Sequence, residues 1–195
     1  MKVTLLQVTP NAEDLIASAA RVCYASQPRT PDANAKLIKN LISWNHLSML
    51  EHASATFSIE GVSRACTHQL VRHRIASYSQ QSQRYVNEEG FDYVTPPMVE
   101  SSKETKKAFD DAVEGARKAY KRLSELGIPK EDARFILPNA CATKIVVTMN
   151  FRELRHFIRL RTEKGAQWEI KNLATQMLGM LRKEAPNVFS DINPE

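Results

Sequence analysis

The chain has 195 residues, of which 43% are hydrophobic and 25% charged, the balance of a globular protein long enough to bury about 70% of its unfolded surface. A net charge of +5 favours anionic partners such as nucleotides, polyanionic cofactors or nucleic acid. No run approaches the ~18 apolar residues of a membrane span, the N-terminal apolar run is too short for a signal peptide, and three scattered cysteines (Cys23, Cys66, Cys141) indicate neither a disulfide framework nor a zinc site.

In chain order, residues 2–8 are β-branched and aliphatic and read as a strand. Pro10 and Asn11 supply a turn and an N-cap for a helix through Tyr24, with Leu15, Ala19 and Val22 on one face. Residues 26–32, with two prolines, read as a loop. A helix from Asn34 to about Trp44 carries Leu37, Ile38, Leu41 and Ile42 as its buried stripe. His46 and His52 flank Glu51 in a polar connection, but six-residue spacing does not match the i, i+4 pair of a helical zinc site, so no metal is expected. Residues 53–60 alternate as a strand, Gly61 breaks it, and Ser63 caps a helix that turns Ala65, Cys66, Leu70 and Val71 inward. On that helix Arg64, His68 and Arg72 form a basic ridge at a spacing of four.

The stretch from Arg72 to Arg84 then runs out as a loop holding three arginines, a histidine, three serines and three glutamines. From Val62 to Arg84 there is no Asp, Glu or Lys, whereas solvated faces mix lysine with acids. Guanidinium forks bind phosphate or carboxylate in bidentate fashion, and hydroxyls and amides read the edge of a polar heterocycle. The composition suits binding of a phosphorylated anion.

Residues 89–97 read as irregular or strand-bearing. A long helix starts at Ser101/Ser102 and runs through Leu126, closed by Gly127 and Pro129; its Lys/Glu face is a solvated surface. A short helix over 131–136 precedes the strongest strand signal, 142–149. Two helices follow, 151 to about 162 and 167–184. In the first, Arg152, Arg155, His156 and Arg159 fall on one face, a repulsive arrangement that an anion or another subunit's acids would neutralise. The six glycines are isolated, so neither a Rossmann fingerprint nor a P-loop is present.

Arg72-His73-Arg74, seven residues, Ser82, one residue and Arg84 together resemble the signature of the flavin-dependent thymidylate synthases. The resemblance extends from Ala20-Arg21-Val22 through Glu51-His52 to Gln167-Trp168-Glu169, most of the chain. It implies a single-domain α+β fold over residues 1–195, with a mostly antiparallel central sheet covered by helices, in a homotetramer with shared active sites. It implies dUMP at Gln69, Leu70, Val71, Arg72, Gln80, Gln81, Ser82, Gln83, Arg84, Arg134 and Arg161, with Ser82 and Arg84 at the phosphate. It implies FAD at His46, Ser48, Glu51, Arg72, His73, Arg74, Ile75, Gln80, Asn150, Arg152 and His156. Two positions depart from the pattern: Gln80 stands where an acid is common, and Cys23 where a hydroxyl is expected near the flavin.

The implied activity is reductive methylation of dUMP to dTMP in the cytoplasm, with methylenetetrahydrofolate as carbon donor and NADPH as reductant of FAD. Each cysteine reads as a small core residue and no acid–base–hydroxyl trio surrounds Ser82, so a protein nucleophile is not expected. The resemblance gives Arg161 the task of polarising the uracil. Two rivals are a basic module that holds nucleic-acid phosphates, for which Tyr78 and Tyr85 are the only nearby stacking aromatics, and a nucleotide-binding protein without catalysis.

Overall fold

Period-two alternation builds the sheet in the computed structural model, which describes every residue except 28, 29, 31 and 195. Strand β1 (Lys2–Val8) leads to helices α1 (Ala12–Tyr24) and α2 (Ala33–Ser43), and a 3-10 turn Ser48–His52 leads to β2 (Ser54–Ser63), α3 (Arg64–Leu70) and β3 (Ala76–Gln80). The second half holds α4 (Pro97–Glu100), α5 (Lys103–Glu125) and α6 (Lys130–Ala133), which continues as a 3-10 turn over Arg134–Ile136. It ends with β4 (Ala142–Asn150), α7 (Phe151–Thr162), α8 (Trp168–Glu184) and α9 (Pro186–Phe189). The strands form one antiparallel sheet in the order β1-β2-β4-β3, so the fold is α+β. Ala55, Phe57 and Ile59 of β2 and Ile145, Val147 and Met149 of β4 are buried. Their neighbours Thr56 and Thr148 share a 2.9 Å hydrogen bond.

The chain partitions into two compact units, each with its own packing. One comprises Met1–Lys2, Glu60–His68 and Ser79–Ile145. Its core joins Phe91, Val113 and Cys141, backed by Tyr93, Phe109, Ala116 and Leu137. Ser102 caps α5 by accepting from the Thr105 N–H at 3.1 Å, and Gly127 takes the left-handed φ of 80° that ends it. The second unit comprises Val3–Ile59, Gln69–Tyr78 and Val146–Glu195. Here α7 packs on α8, and Phe151, Leu154, Phe157 and Ile158 of the first and Ile170, Leu173, Ala174 and Met177 of the second are all fully buried. Each of these larger apolar side chains contributes about 1.5–3 kcal/mol on leaving water, so the helix pair is a main source of stability in the second unit.

Several sequence expectations need correction. Helix α1 turns Ile16, Ala17 and Ala20 inward and leaves Leu15 41% and Val22 81% exposed, because the alanine stripe allows closer approach to its neighbours. Asn11 precedes it in a left-handed conformation with no side-chain cap. Gly61, at φ 66°, does not break β2; the strand continues to Ser63, whose hydroxyl accepts from the Cys66 N–H at 3.0 Å. Helix α3 stops at Leu70, so Arg72 lies beyond it and the three-residue basic ridge does not form. The stretch after Arg74 returns as β3 instead of a loop. Cys23 is exposed, not a core residue. Of the loop expected over 26–32, residues 28, 29 and 31 lie outside the described residues.

Candidate active site

The turn after α3 is set by Tyr78 of β3, whose hydroxyl lies 2.8 Å from both the Leu70 and the His73 carbonyls. Burial, then the Glu153 charge, push the Tyr78 phenol above its ordinary value, so it stays a donor. The pinned turn sends Arg72 and Arg74 outward and His73 inward, where it is 5% exposed. Helix α7 meets His73 with Glu153, Phe157 and Arg161, spaced i, i+4 and i+8 on one face. Phe157 stands edge-on to the imidazole at 5.0 Å and 88°.

The two ends of that face grip the ring. Arg161 Nε–H donates to His73 Nε2 at 3.1 Å, and His73 Nδ1 lies 3.1 Å from Glu153 Oε1. A guanidinium only donates, so Nε2 accepts and the proton sits on Nδ1, where it donates to the carboxylate. Burial first, and then the Arg161 charge, hold the His73 pKa below its ordinary value although the Glu153 hydrogen bond opposes them, so the ring is neutral near pH 7. Arg161 also donates from Nη2 to the Gln69 carbonyl at 3.4 Å. His73, Glu153 and His156 bring ligand atoms within 4.8 Å of one another. With both imidazole nitrogens of His73 engaged, a metal ion there would have to displace Arg161 or the Glu153 bond.

Two cavities flank this face. One of about 470 Å³ is lined by Leu47, Glu51, Ile75, Asn150, Arg152 and His156, among others, bringing together five of the expected FAD positions. The second, of about 280 Å³, is lined by Arg72, His73, Arg74, Ile75, Glu153, His156, Leu160 and Arg161. His46 and Ser48 are exposed on the connection just before β2, with His46 edge-on to Trp44 at 6.1 Å.

The other arginines of α7 are neutralised from within the chain, contrary to the expectation of an external anion. Arg155, 2% exposed, makes a bidentate pair with Asp191 at 2.6 and 2.7 Å and also donates to the Val188 carbonyl. Arg159 reaches the same carboxylate at 2.8 Å, and Arg152 meets Glu51 at 2.5 Å. Burial raises the Asp191 pKa, but the Arg155 hydrogen bond and the two guanidinium charges outweigh it and hold the carboxyl below the usual range. The sequence pattern grouped these arginines on one face; burial separates them.

The dUMP positions from Gln80 to Arg84, and Arg134, lie in the other unit, while Leu70 and Val71 stay with His73. Arg84 donates from Nε and Nη2 to Glu131 Oε2 at 3.1 and 2.7 Å, and Arg134 donates to the Glu131 carbonyl at 3.1 Å. Ser82 accepts from the Arg84 N–H at 3.2 Å in a short turn. Arg84 thus holds one carboxylate through two donors, with Arg134 on the same residue's carbonyl, and a guanidinium fork of this kind can exchange a carboxylate for a phosphate. Gln80 donates to Thr67 at 3.0 Å and, more distantly, to Thr143. Gln81 bonds Glu88, whose carboxyl burial pushes upward. Gln83 is half-buried and Val71 is exposed, whereas Leu70 is fully buried with its carbonyl taken by the Tyr78 hydroxyl and the His73 N–H, so it is closed to a ligand. Cys66 and Cys141 are buried, and burial pushes the Cys141 thiol up to about 12, which rules it out as an activated nucleophile at neutral pH.

Sequence reading missed Glu153, Glu131 and Asp191. The signal for Glu153 was present: it is the only acid in α7, eight residues before Arg161. Nothing local marks Glu131 or Asp191 as arginine partners, since 47 and 36 residues separate the pairs.

Residues 4–187 match the family model described as "Thymidylate synthase complementing protein". The flavin-dependent thymidylate synthase of Geobacter sulfurreducens is 51% identical, covering 100% of this chain and 88% of that protein. The chain belongs to the flavin-dependent thymidylate synthase family. The Clostridium tetani member is 44% identical over 100% of this chain and 87% of its own length. Among solved structures, thymidylate synthase X from Helicobacter pylori with FAD and dUMP superposes with a TM-score of 0.84 at 26% identity, covering 98% of this chain and 99% of that one. A UMP/dUMP methylase, PolB from Streptomyces cacaoi, bound with 5-Br dUMP, gives 0.87 at 27% identity, covering 97% and 93%. The basic nucleic-acid module loses its footing, because the α3 ridge is absent and the α7 arginines are paired internally.

Proposed function

We propose that this chain converts dUMP to dTMP as a flavin-dependent thymidylate synthase, in one catalytic domain spanning residues 1–195. The observation that carries the proposal is Arg161, a half-buried guanidinium held by two acceptors, His73 Nε2 and the Gln69 carbonyl, and lining a cavity with expected flavin and nucleotide positions. The donor set fits FAD: Arg152, His156 and Asn150 offer a guanidinium, an imidazole and an amide for a pyrophosphate, while Leu47 and Ile75 offer apolar wall. Glu51, Ser48, His46, Arg72, His73, Arg74, Ile75 and Gln80 complete the set that would hold it. Bound FAD would supply hydride chemistry, with NADPH as its reductant.

The chain's own residues bind and polarise. Ser82, Arg84 and Arg134 take the dUMP phosphate, which displaces Glu131 from the Arg84 fork. Gln69, Val71 and Arg72 in one unit, and Gln80, Gln81 and Gln83 in the other, are the further positions at which the resemblance expects the nucleotide; Leu70, fully buried, is not among those open to it. Arg161 stabilises negative charge developing on the uracil, replacing the cysteine attack that no thiol here supports; one aimed donor of this kind lowers a barrier by about 3 kcal/mol. Methylenetetrahydrofolate is the carbon donor. We further propose a cytoplasmic homotetramer whose copies share active sites. Large exposed apolar side chains support a buried interface, Phe135 at 83% and Met98 at 80% among them.

The test is the visible absorption of purified protein with added FAD and dUMP, followed by assay of dTMP formation with NADPH and methylenetetrahydrofolate. A flavin spectrum perturbed by dUMP, together with turnover, supports the reading. Protein that takes up no flavin refutes it.

A further inference from the structure

We propose that Glu153 is a positioning residue which, through His73, fixes the orientation of Arg161; the inference rests on the reading of Arg161 as the cation that faces the uracil. Glu153 belongs to none of the nucleotide or flavin positions. It is 8% exposed at the start of α7, its N–H donating to Asn150 Oδ1 at 2.9 Å, where the helix N-terminus favours a carboxylate. Arg161 follows eight residues later, about 12 Å along the same rigid helix. The imidazole of His73 bridges the two, its Nδ1 at Glu153 and its Nε2 at Arg161, each at 3.1 Å. Phe157, between them on the helix, confines the ring.

The chemistry assigns each end its part. A carboxylate accepts only, so it keeps the imidazole proton on Nδ1 and leaves Nε2 as the acceptor for the Nε–H of Arg161. The Gln69 carbonyl holds Nη2, so one edge of the planar guanidinium is fixed and Nη1 stays available for substrate. Without Glu153 the neutral ring is free to place its proton on Nε2, where N–H would oppose N–H and turn Arg161 away. Protonation of His73 has the same effect. The groups that face the ring are Glu153, His156 and Arg161 of α7, with the rings of His73 and His156 5.7 Å apart, and the Tyr78 hydroxyl on the His73 carbonyl. Arg72 and Arg74 flank it in the turn and point outward.

The experiment uses the full-length, FAD-loaded protein and three variants. Glu153→Ala is expected to lower kcat roughly ten- to a hundredfold, with KM for dUMP held within about threefold, because an aimed group is misplaced and substrate binding is not. Glu153→Gln keeps an acceptor carbonyl and is expected to recover most of kcat. It also removes the charge that stabilises the imidazolium, so the acid limb of the kcat–pH profile moves to lower pH. Should the alanine variant fail to fold, the glutamine variant carries the test. Independently of turnover, nitrogen-15 NMR of labelled histidines, with His73→Gln for assignment, is expected to show His73 as the Nδ1–H tautomer in wild type and a changed ring in Glu153→Ala. An Nε2–H tautomer in wild type, an unchanged kcat in Glu153→Ala, or an unmoved acid limb in Glu153→Gln overturns the proposal. Wild-type protein that forms no dTMP yet shows the Nδ1–H tautomer and its loss in Glu153→Ala supports the positioning chain and overturns only the thymidylate synthase reading.

Discussion

Replacing Asp191 by alanine tests how α7, the helix that carries Arg161, is held. The carboxylate takes two N–H donors from Arg155 at 2.6 and 2.7 Å and one from Arg159 at 2.8 Å. Arg155 is 2% exposed, so the variant leaves a guanidinium buried with the Val188 carbonyl as its remaining hydrogen-bond acceptor. Breaking a fully buried pair from one side costs about 3–5 kcal/mol. The Asp191 side chain is 39% exposed, and water reaching the vacated site reduces the cost, to about 2–3 kcal/mol. For a chain of this size that is a fall in Tm of roughly 4–12 °C. The assay is urea and thermal unfolding followed by circular dichroism, with Asp191→Ala and the double variant Arg155→Met/Asp191→Ala side by side. The double variant has no stranded charge and is expected to regain at least half of the lost stability. A loss under about 0.5 kcal/mol in the single variant, or a double variant no better than the single, would refute the account of Arg155 as a charge dependent on Asp191.

Arg161→Ala is expected to retain FAD, seen in its absorption spectrum, while dTMP formation falls on the order of a hundredfold or more; near-normal turnover would remove Arg161 from its role. Arg84→Ala is expected to raise KM for dUMP at least tenfold with a smaller change in kcat, since it loses a phosphate contact made equally in ground and transition states. Stability is expected to fall as pH drops below about 6.5, because His73 is held neutral in the fold below its ordinary pKa and the unfolded chain takes up the proton first. A second loss follows below about 3.8, as the depressed Asp191 carboxyl protonates; unfolding curves between pH 3 and 8 check both, and a flat profile from 6.5 to 4.5 counts against the first. Iodoacetamide at neutral pH is expected to label Cys23 and spare the buried Cys66 and Cys141, with dTMP formation unchanged in Cys141→Ala.

Local patterns carried much of the fold. Strands β1, β2 and β4 show their β-branched alternation, α5 its Ser102 cap and Gly127 stop, and α7 and α8 their helical period, so all were legible from neighbouring residues. Helix α1 was legible as a helix but not in its orientation, because Leu15 and Ile16 are equally apolar and only the neighbours decide which turns inward. The strand β3 was hidden by its polar composition, Ala-Ser-Tyr-Ser-Gln, since a strand whose side chains are half-exposed needs little hydrophobic signal and takes its order from β4.

The chain by itself carried the family resemblance, in the spacing from Arg72 to Arg84 and the stretches around it, and the family model over residues 4–187 bears that family out. The chain also set Cys66 aside as a nucleophile, because that residue, though near Arg64 and His68 in sequence, falls on the apolar side of its helix, where the structure buries it. What only the tertiary structure decided is which charges are free. Arg155, Arg159, Arg152 and Arg84 look alike in sequence, yet Asp191, Glu51 and Glu131 reach them from 32 to 101 residues away. The same holds for Glu153, His73 and Arg161, since His73 stands 80 and 88 residues from its partners. An ion pair's energy depends on distance and burial in space, and neither is written in the spacing of residues along the chain.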